Sequence, residues 1–371
     1  METAFNNFKT NVSDLITAEK TTAYTTLTIN QPTVGKLYRF KGKASNKYMA
    51  AASSNEQMTM TNNADLASTI FIVCAGNAIN NQTAYKLLSY NTGYYTKETR
   101  ANGALAAAAN SVLMKTSEGN NSGYYTLYTD DSGSKYIYDN NTVVDRNSTY
   151  KAINCDWTIE EVTWLPIPVS STYKFGTFFS PVDIALTDTY YAKDARMKFY
   201  TGRLDNEGYV VLDKVNDNIP ANTPYVIELT SESGYKNGCQ YLKIADSAPA
   251  IQASNYDLRG GLETIATPTD QGTIYTLQAA WDDTTDDHNS TTNVAFRIYN
   301  GTNILGCRAY LPVSGTQTVK GMRFNEGTTT RIESLEAEQT HEIEVYDLSG
   351  RRVERAGKGL YIINGKKVYI K

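Results

Sequence analysis

Histidine is nearly missing from this sequence: His288 and His341 are the two in 371 residues. Tryptophan is down to three, cysteine to four and proline to nine. Each scarcity excludes something. A Ser–His or Cys–His nucleophilic site would have to use His288, which lies in the polar run "WDDTTDDHNS" with no GxSxG or matching cysteine signature. The cysteines, at 74, 155, 239 and 307, make no CxxC. Cys74–Cys155 and Cys239–Cys307 pairs would suit an oxidising compartment, but buried free thiols are the expectation. No apolar run reaches the roughly 18 residues of a membrane span. A net charge of −4 and a pI near 5.4 carry no nucleic-acid footprint. Nothing in the sequence calls for a cofactor.

Tyrosine is abundant instead: 28 residues against 10 Phe and 3 Trp. Its apolar ring and polar tip suit half-wet positions on sheets and at binding surfaces. Asn, Thr, Ser and Gly surround these tyrosines in NG, NN and SG turns. The fold class expected is all-β, with one exception at the start. Phe5, Phe8, Val12, Leu15 and Ile16 follow helical spacing and predict an amphipathic helix within 1–30. Residues 1–20 lack the basic start and continuous apolar core of a signal peptide. The helix either packs on the first domain or is the remnant of an upstream one.

From 36 to 165 one pattern is stated three times, at roughly forty residues per copy. Each copy has an opening strand, a polar turn, then a tyrosine pair or tyrosine–apolar pair: Tyr48–Met49, Tyr94–Tyr95, Tyr136–Ile137. A short alternating strand follows ("MTM", "LMK", "VVD"), then a closing strand ("TIFIV", "YYTLYT", "WTIEEV"). "GALAAAAN", between Gly103 and Asn110, reads as a turn. Three four-stranded units predict a barrel capped by hairpins. "LPIPVS" (165–170) reads as a boundary. Residues 166–325 then alternate short apolar runs with turns, which predicts a sandwich. The seven runs are "TYKFGTFF", "MKFYTGRL", "YVVLDKV", "TPYVIEL", "TIYTLQA", "VAFRIYN" and "CRAYLPV". A polar linker spans 326–340. The end, 341–371, reads as three strands with a hairpin at Asn364–Gly365.

Three resemblances bear on function. The threefold pattern resembles the β-trefoil of ricin-type lectin domains. That resemblance implies a sugar site using an Asp just after the tyrosine–apolar pair and a Gln-x-Trp in the closing strand. Here the Asp position reads Ala50, Thr96 and Tyr138, and Gln-x-Trp is absent, with only Trp157 in its place. Asp139, one residue away, is the nearest polar candidate. Tyr90, Asn91, Tyr94, Tyr95 and Tyr138 are the candidate contacts; the plainer reading makes these tyrosines barrel core and rim. The succession "GTFFSPVDIAL", "FYTGRL", "IPANTPYVIEL" and "RAYLPV" resembles an accessory β-module of secreted proteins from Gram-negative anaerobes, which follows a trefoil-like unit opening like "KLYRFKGKASNKYM"; the resemblance spans most of 35–325. The tail resembles the type A C-terminal sorting domain of the type IX (Por) secretion system. The matching residues are Tyr346, Asp347, Gly350, Arg351, Val353, Gly359, Tyr361, Asn364, Gly365, Lys366, Lys367 and Val368. It implies export to the cell surface or medium by that machinery. Such export also needs an N-terminal signal, so the expectation is that the sequence begins inside a longer protein.

Asp282, Asp283, Asp286 and Asp287, beside His288, form an acidic cluster without EF-hand spacing, read here as a solvated loop. The expected function is non-catalytic binding of a glycan or host polymer through the trefoil. Two alternatives stand beside it: an adhesion or structural protein that binds proteins, and the C-terminal accessory region of a larger glycoside hydrolase.

Overall fold

The computed structural model describes residues 32–52, 57–76, 84–96, 105–106, 114–118, 124–129, 135–147, 152–186, 196–279, 294–325, 345–346, 359–363 and 366–370. The expected N-terminal helix, the acidic run 282–288 and the linker 326–340 lie outside them. Among the described residues no helix is long and apolar enough to cross a membrane. The chain divides into two units, 1–325 and 326–371.

Twelve strands open the first unit. The first copy holds β1 (Leu37–Gly42), β2 (Tyr48–Ala50), β3 (Thr59–Thr61) and β4 (Phe71–Ala75). The second holds β5 (Tyr85–Ser89), β6 (Tyr95–Thr96), β7 (Leu105–Ala106) and β8 (Met114–Glu118). The third holds β9 (Tyr125–Thr129), β10 (Lys135–Asp139), β11 (Val144–Asn147) and β12 (Asp156–Glu161). The pairings β1–β4, β4–β5, β5–β8, β8–β9, β9–β12 and β12–β1 run in a ring, all antiparallel. Six strands therefore close a barrel with no free edge. The other six form one hairpin per copy: β2–β3, β6–β7 and β10–β11. This is the β-trefoil topology.

The second copy departs from the sequence reading. "YTLYT" opens the third copy and does not close the second; Met114–Glu118 closes it, and Leu105–Ala106, expected as a turn, is the short hairpin strand. Two residues inside an alanine run carry no period-two signal.

Barrel strands alternate by period two between two cores. Tyr38, Phe40, Phe71, Val73, Leu87, Leu127, Trp157 and Ile159 fill the barrel. Leu37, Ile72 and Leu88, their neighbours on β1, β4 and β5, point the other way into a core shared with residues 162–307. That is why these three strands are apolar on both faces.

The segment read as a boundary at 165–170 is mostly strand β13 (Trp164–Pro168), paired with β18 (Cys239–Lys243). Pro166 and Pro168 fit because β13 is paired on one side alone. All seven predicted runs contain strands: β14 (Phe175–Phe179), β15 (Met197–Leu204), β16 (Tyr209–Val215), β17 (Pro224–Leu229), β21 (Thr273–Ala279), β22 (Val294–Ile298) and β24 (Arg308–Val313). The order β14-β17-β15-β16-β25 makes a five-stranded sheet, with β25 (Gly321–Asn325) joining in parallel. Its Tyr200, Leu212 and Val226 meet Tyr275, Phe296 and Leu311 of the sheet β19-β24-β21-β22, where β19 is Arg259–Gly261. A short pair, β20 (Ile265–Ala266) with β23 (Asn303–Ile304), completes the module. The opposite face of the five-stranded sheet, with Phe178, Phe199, Tyr225 and Ile227, enters the core shared with the barrel. The sandwich is therefore a sheet covered on both sides, which explains near-continuous apolar runs such as "PYVIEL".

All four cysteines are free thiols, with Cys155, Cys239 and Cys307 buried and Cys74 half-buried. Burial pushes the Cys239 thiol up to about 11 and that of Cys307 up to about 12, so both behave as small apolar groups.

The second unit is a three-stranded antiparallel sheet, β26 (Val345–Tyr346), β27 (Gly359–Ile363) and β28 (Lys366–Ile370). The ladder runs from Gly359↔Ile370 to Ile363↔Lys366. Truncation after Glu326 is expected to leave the melting midpoint of the remainder within about 2 °C of the full chain. A drop of more than about 5 °C by calorimetry would show that the tail completes a core elsewhere.

Candidate functional site

The sequence-predicted contacts separate into supports and surface groups. Trp157 is fully buried in the barrel, and its Nε1 donates to Ile137 O at 3.1 Å. Asp139 is also fully buried. Its Oδ2 accepts from Ser45 N at 2.8 Å and Ser45 Oγ at 2.7 Å, and its Oδ1 from Asn141 N at 2.8 Å. These bonds consume the carboxylate, so Asp139 is a clamp between the β1–β2 turn and the β10–β11 hairpin and not a ligand contact. Tyr90 is buried with its Oη donating to Pro166 O at 2.8 Å, and burial holds its phenol well above the usual range. Tyr95 is buried and donates to Glu263 Oε1 at 2.7 Å; burial first, and that bond second, raise its phenol. Tyr90 and Tyr95 thus tie the trefoil to the following module. Asn91 is exposed, with its amide donated to Ala52 O at 3.0 Å. Tyr94 is half-buried against the barrel core.

Tyr138 lies on the hairpin strand β10 and is half-buried. Strand β10 alternates: Ile137 and Asp139 point in, while Tyr136 and Tyr138 are half-buried on the outer face. Across the hairpin, Tyr138 stands opposite Asp145, also half-buried. Directly opposed residues have Cβ atoms about 5 Å apart, and Tyr136 lies about 6.6 Å along the strand from Tyr138. One face thus presents two phenol rings and a carboxylate. The hairpin under it is fixed. Lys47 Nζ donates to Asn141 O at 2.9 Å, Asn154 Nδ2 to Asp139 O at 2.8 Å, and Met60 N to Thr142 O at 2.9 Å. Asn141 takes a left-handed turn at φ +64°, which Asn tolerates.

The other two hairpins lack this set. The positions matching Tyr138 and Asp145 are Ala50 and Thr59 in the first copy, and Thr96 and Leu105 in the second. Asp145 was missed in the sequence. Counting back from the Asn140–Val143 turn would have put it opposite Tyr138.

The acidic candidates Asp282, Asp283, Asp286 and Asp287 lie outside the described residues. So do Asp347, Gly350, Arg351, Val353, Asn364 and Gly365 of the tail motif. Gly359, Tyr361, Lys366, Lys367 and Val368 fall on β27 and β28, and Tyr346 on β26. Among the described residues no group of three or more His, Cys, Asp or Glu could hold a metal ion.

No protein-family model matches the sequence. No curated protein matches it either. Among solved structures the chain is similar to a ricin B-like lectin of Macrolepiota procera in complex with lactose, at 12% identity and a TM-score of 0.29, covering 36% of this chain and 99% of that one. It is similar to the BEL β-trefoil, at 14% identity and a TM-score of 0.32, covering 36% and 99%. It is also similar to ThreeFoil, a designed threefold-symmetric protein, at 14% identity and a TM-score of 0.29, covering 34% and 99%.

Proposed function

We propose that this protein is a non-catalytic saccharide-binding protein that takes its ligand on the outer face of the β10–β11 hairpin. The observation that carries the reading is the pairing of Tyr138 with Asp145 beside Tyr136, on the third hairpin alone. Aromatic faces stack against the C–H faces of sugar rings, and a carboxylate accepts from sugar hydroxyls. Asp139 and Trp157 act from beneath by holding the strand that carries the tyrosines. Among the described residues of the hairpin, Asp145 is the one carboxylate on this face, which suits binding and not hydrolysis by an acid–base pair.

The reading includes an address. The order and spacing of Tyr346, Asp347, Gly350, Arg351, Asn364, Gly365 and Lys366 support export to the outer cell surface or medium through the tail, with secretion machinery as its partner. The ligand is then a glycan or host polymer met outside the cell.

A glycan array probed with the full chain tests the binding. A defined set of saccharides should be retained by the wild type, and retention should drop roughly tenfold in Tyr138→Ala. An array with no retained glycan would reject the reading.

A further inference from the structure

The second module carries a cleft of about 620 Å³ that the trefoil reading leaves unused. Small-molecule sites are typically about 300–1,000 Å³. Phe175 at the start of β14, Tyr235 in the turn before β18, and Tyr299 just after β22 supply aromatic wall. Ser171 and Thr276 supply hydroxyls, and Arg308, which opens β24, supplies a cation. All six side chains are half-buried.

The rings are pinned. Tyr235 Oη donates to Val169 O at 2.7 Å, and Tyr299 Oη to Asn303 O at 2.6 Å. Their polar tips are engaged by backbone, so the ring surfaces are what the cleft receives. Thr276 Oγ1 accepts from Gln278 Nε2 at 2.9 Å, which leaves its own hydrogen to donate. The guanidinium is the unusual element. Arg308 Nη1 reaches Thr177 O at 3.2 Å and Pro168 O at 3.5 Å, and its other donors meet no protein acceptor among the described residues. Among the described residues no Asp or Glu lines the cleft. The acid in the adjacent turn, Glu232, is already paired with Lys174. The preceding residue, Cys307, is held left-handed at φ +55°, with its N–H donated to Gly261 O at 2.8 Å and its carbonyl accepting from Phe179 N at 3.0 Å. The backbone therefore fixes where the Arg308 side chain starts.

A half-buried guanidinium with spare N–H donors and, among the described residues, no carboxylate in the cleft lining suits an anion, and its planar fork matches a carboxylate. Pinned aromatic faces and hydroxyls on the same walls suit a sugar ring. We propose that this cleft is a second binding site, for a sugar ring that bears a carboxylate. Arg308 takes the carboxylate, the aromatic walls take the ring face, and Ser171 and Thr276 meet its hydroxyls.

The test is a titration of the full chain, followed by NMR, with methyl β-glucuronide, methyl β-glucoside and benzoate. The glucuronide should bind, and the glucoside should bind roughly tenfold more weakly or worse. Arg308→Gln should weaken the glucuronide roughly ten- to hundredfold. Because Arg308 also bonds two carbonyls, Ser171→Glu is the second variant; it brings a competing carboxylate into the cleft without touching those bonds. It should abolish glucuronide binding at an unchanged melting midpoint. Tyr138→Ala should leave this binding intact, which separates it from the trefoil site. No glucuronide binding, equal affinity for glucuronide and glucoside, benzoate binding without glucuronide binding, or wild-type affinity in both variants would each overturn the proposal.

Discussion

Asp139→Ala is expected to destabilise the first unit by about 3–5 kcal/mol and to lower its melting midpoint by roughly 8 °C or more. The side chain is fully buried and accepts three hydrogen bonds, two from Ser45 and one from Asn141. Removing it leaves those donors facing a cavity, and hydrogen bonds to a charged group are the costly ones to lose. The site is also tight. A Cβ on Gly42 would stand 2.2 Å from Asp139 Oδ2 and 2.7 Å from its Cγ, so no side chain at 42 can share the space with Asp139. Asp139→Asn keeps the shape but turns an amide N–H₂ toward donors, and should still cost about 2 kcal/mol. Denaturant unfolding measures both. If the Asn variant matched the wild type, the Ser45 bonds would be carrying little, and the hairpin would have to be held from elsewhere.

Gly93→Ala should be as damaging, for a different reason. Gly93 sits at φ +67° in the β5–β6 turn, where an added Cβ carries a backbone penalty of about 1–2 kcal/mol. That Cβ would also stand 2.6 Å from Gly306 Cα and 2.7 Å from Thr264 N, both backbone of the following module. Around it, Thr264 N donates to Gly93 O at 2.7 Å, and Thr264 Oγ1 donates to Thr92 O at 2.6 Å. The expected total is about 3–5 kcal/mol, because two backbones must separate. Gly238→Ala is the control. It has φ +74° and nothing within 4 Å of the added Cβ, so it should show the backbone penalty alone. Equal losses at 93 and 238 would mean that the trefoil and its neighbour are not locked at this point.

The barrel was legible in the sequence because its tyrosine pairs recur and because opening strands such as "LYRFKG" are long. The second hairpin was not, since Leu105–Ala106 is short and sits among alanines. β13 was read as a boundary because its two prolines imitate a linker; its partner β18 lies some seventy residues on, and only the fold brings them together. The shared core was illegible for the same reason. Leu37, Ile72 and Leu88 look like ordinary barrel residues until a second module covers them. In the candidate site, Tyr138 was legible and its partner was not. Asp139 and Trp157 drew attention as polar and aromatic neighbours of the expected pocket. A buried carboxylate that must be satisfied and an indole that fills a barrel look the same in sequence as ligand contacts. Asp145 needed the hairpin register, which a count from the Asn140–Val143 turn supplies.

The central claim is that the third hairpin binds a saccharide through Tyr138 and Asp145. Its most direct measurement is an isothermal titration of the best array ligand into the full chain, the Tyr138→Ala variant, the Asp145→Asn variant and the Thr96→Ala variant. Roughly tenfold weaker binding is expected in each of the first two variants and wild-type affinity in the third. Wild-type affinity in both Tyr138→Ala and Asp145→Asn would contradict the claim.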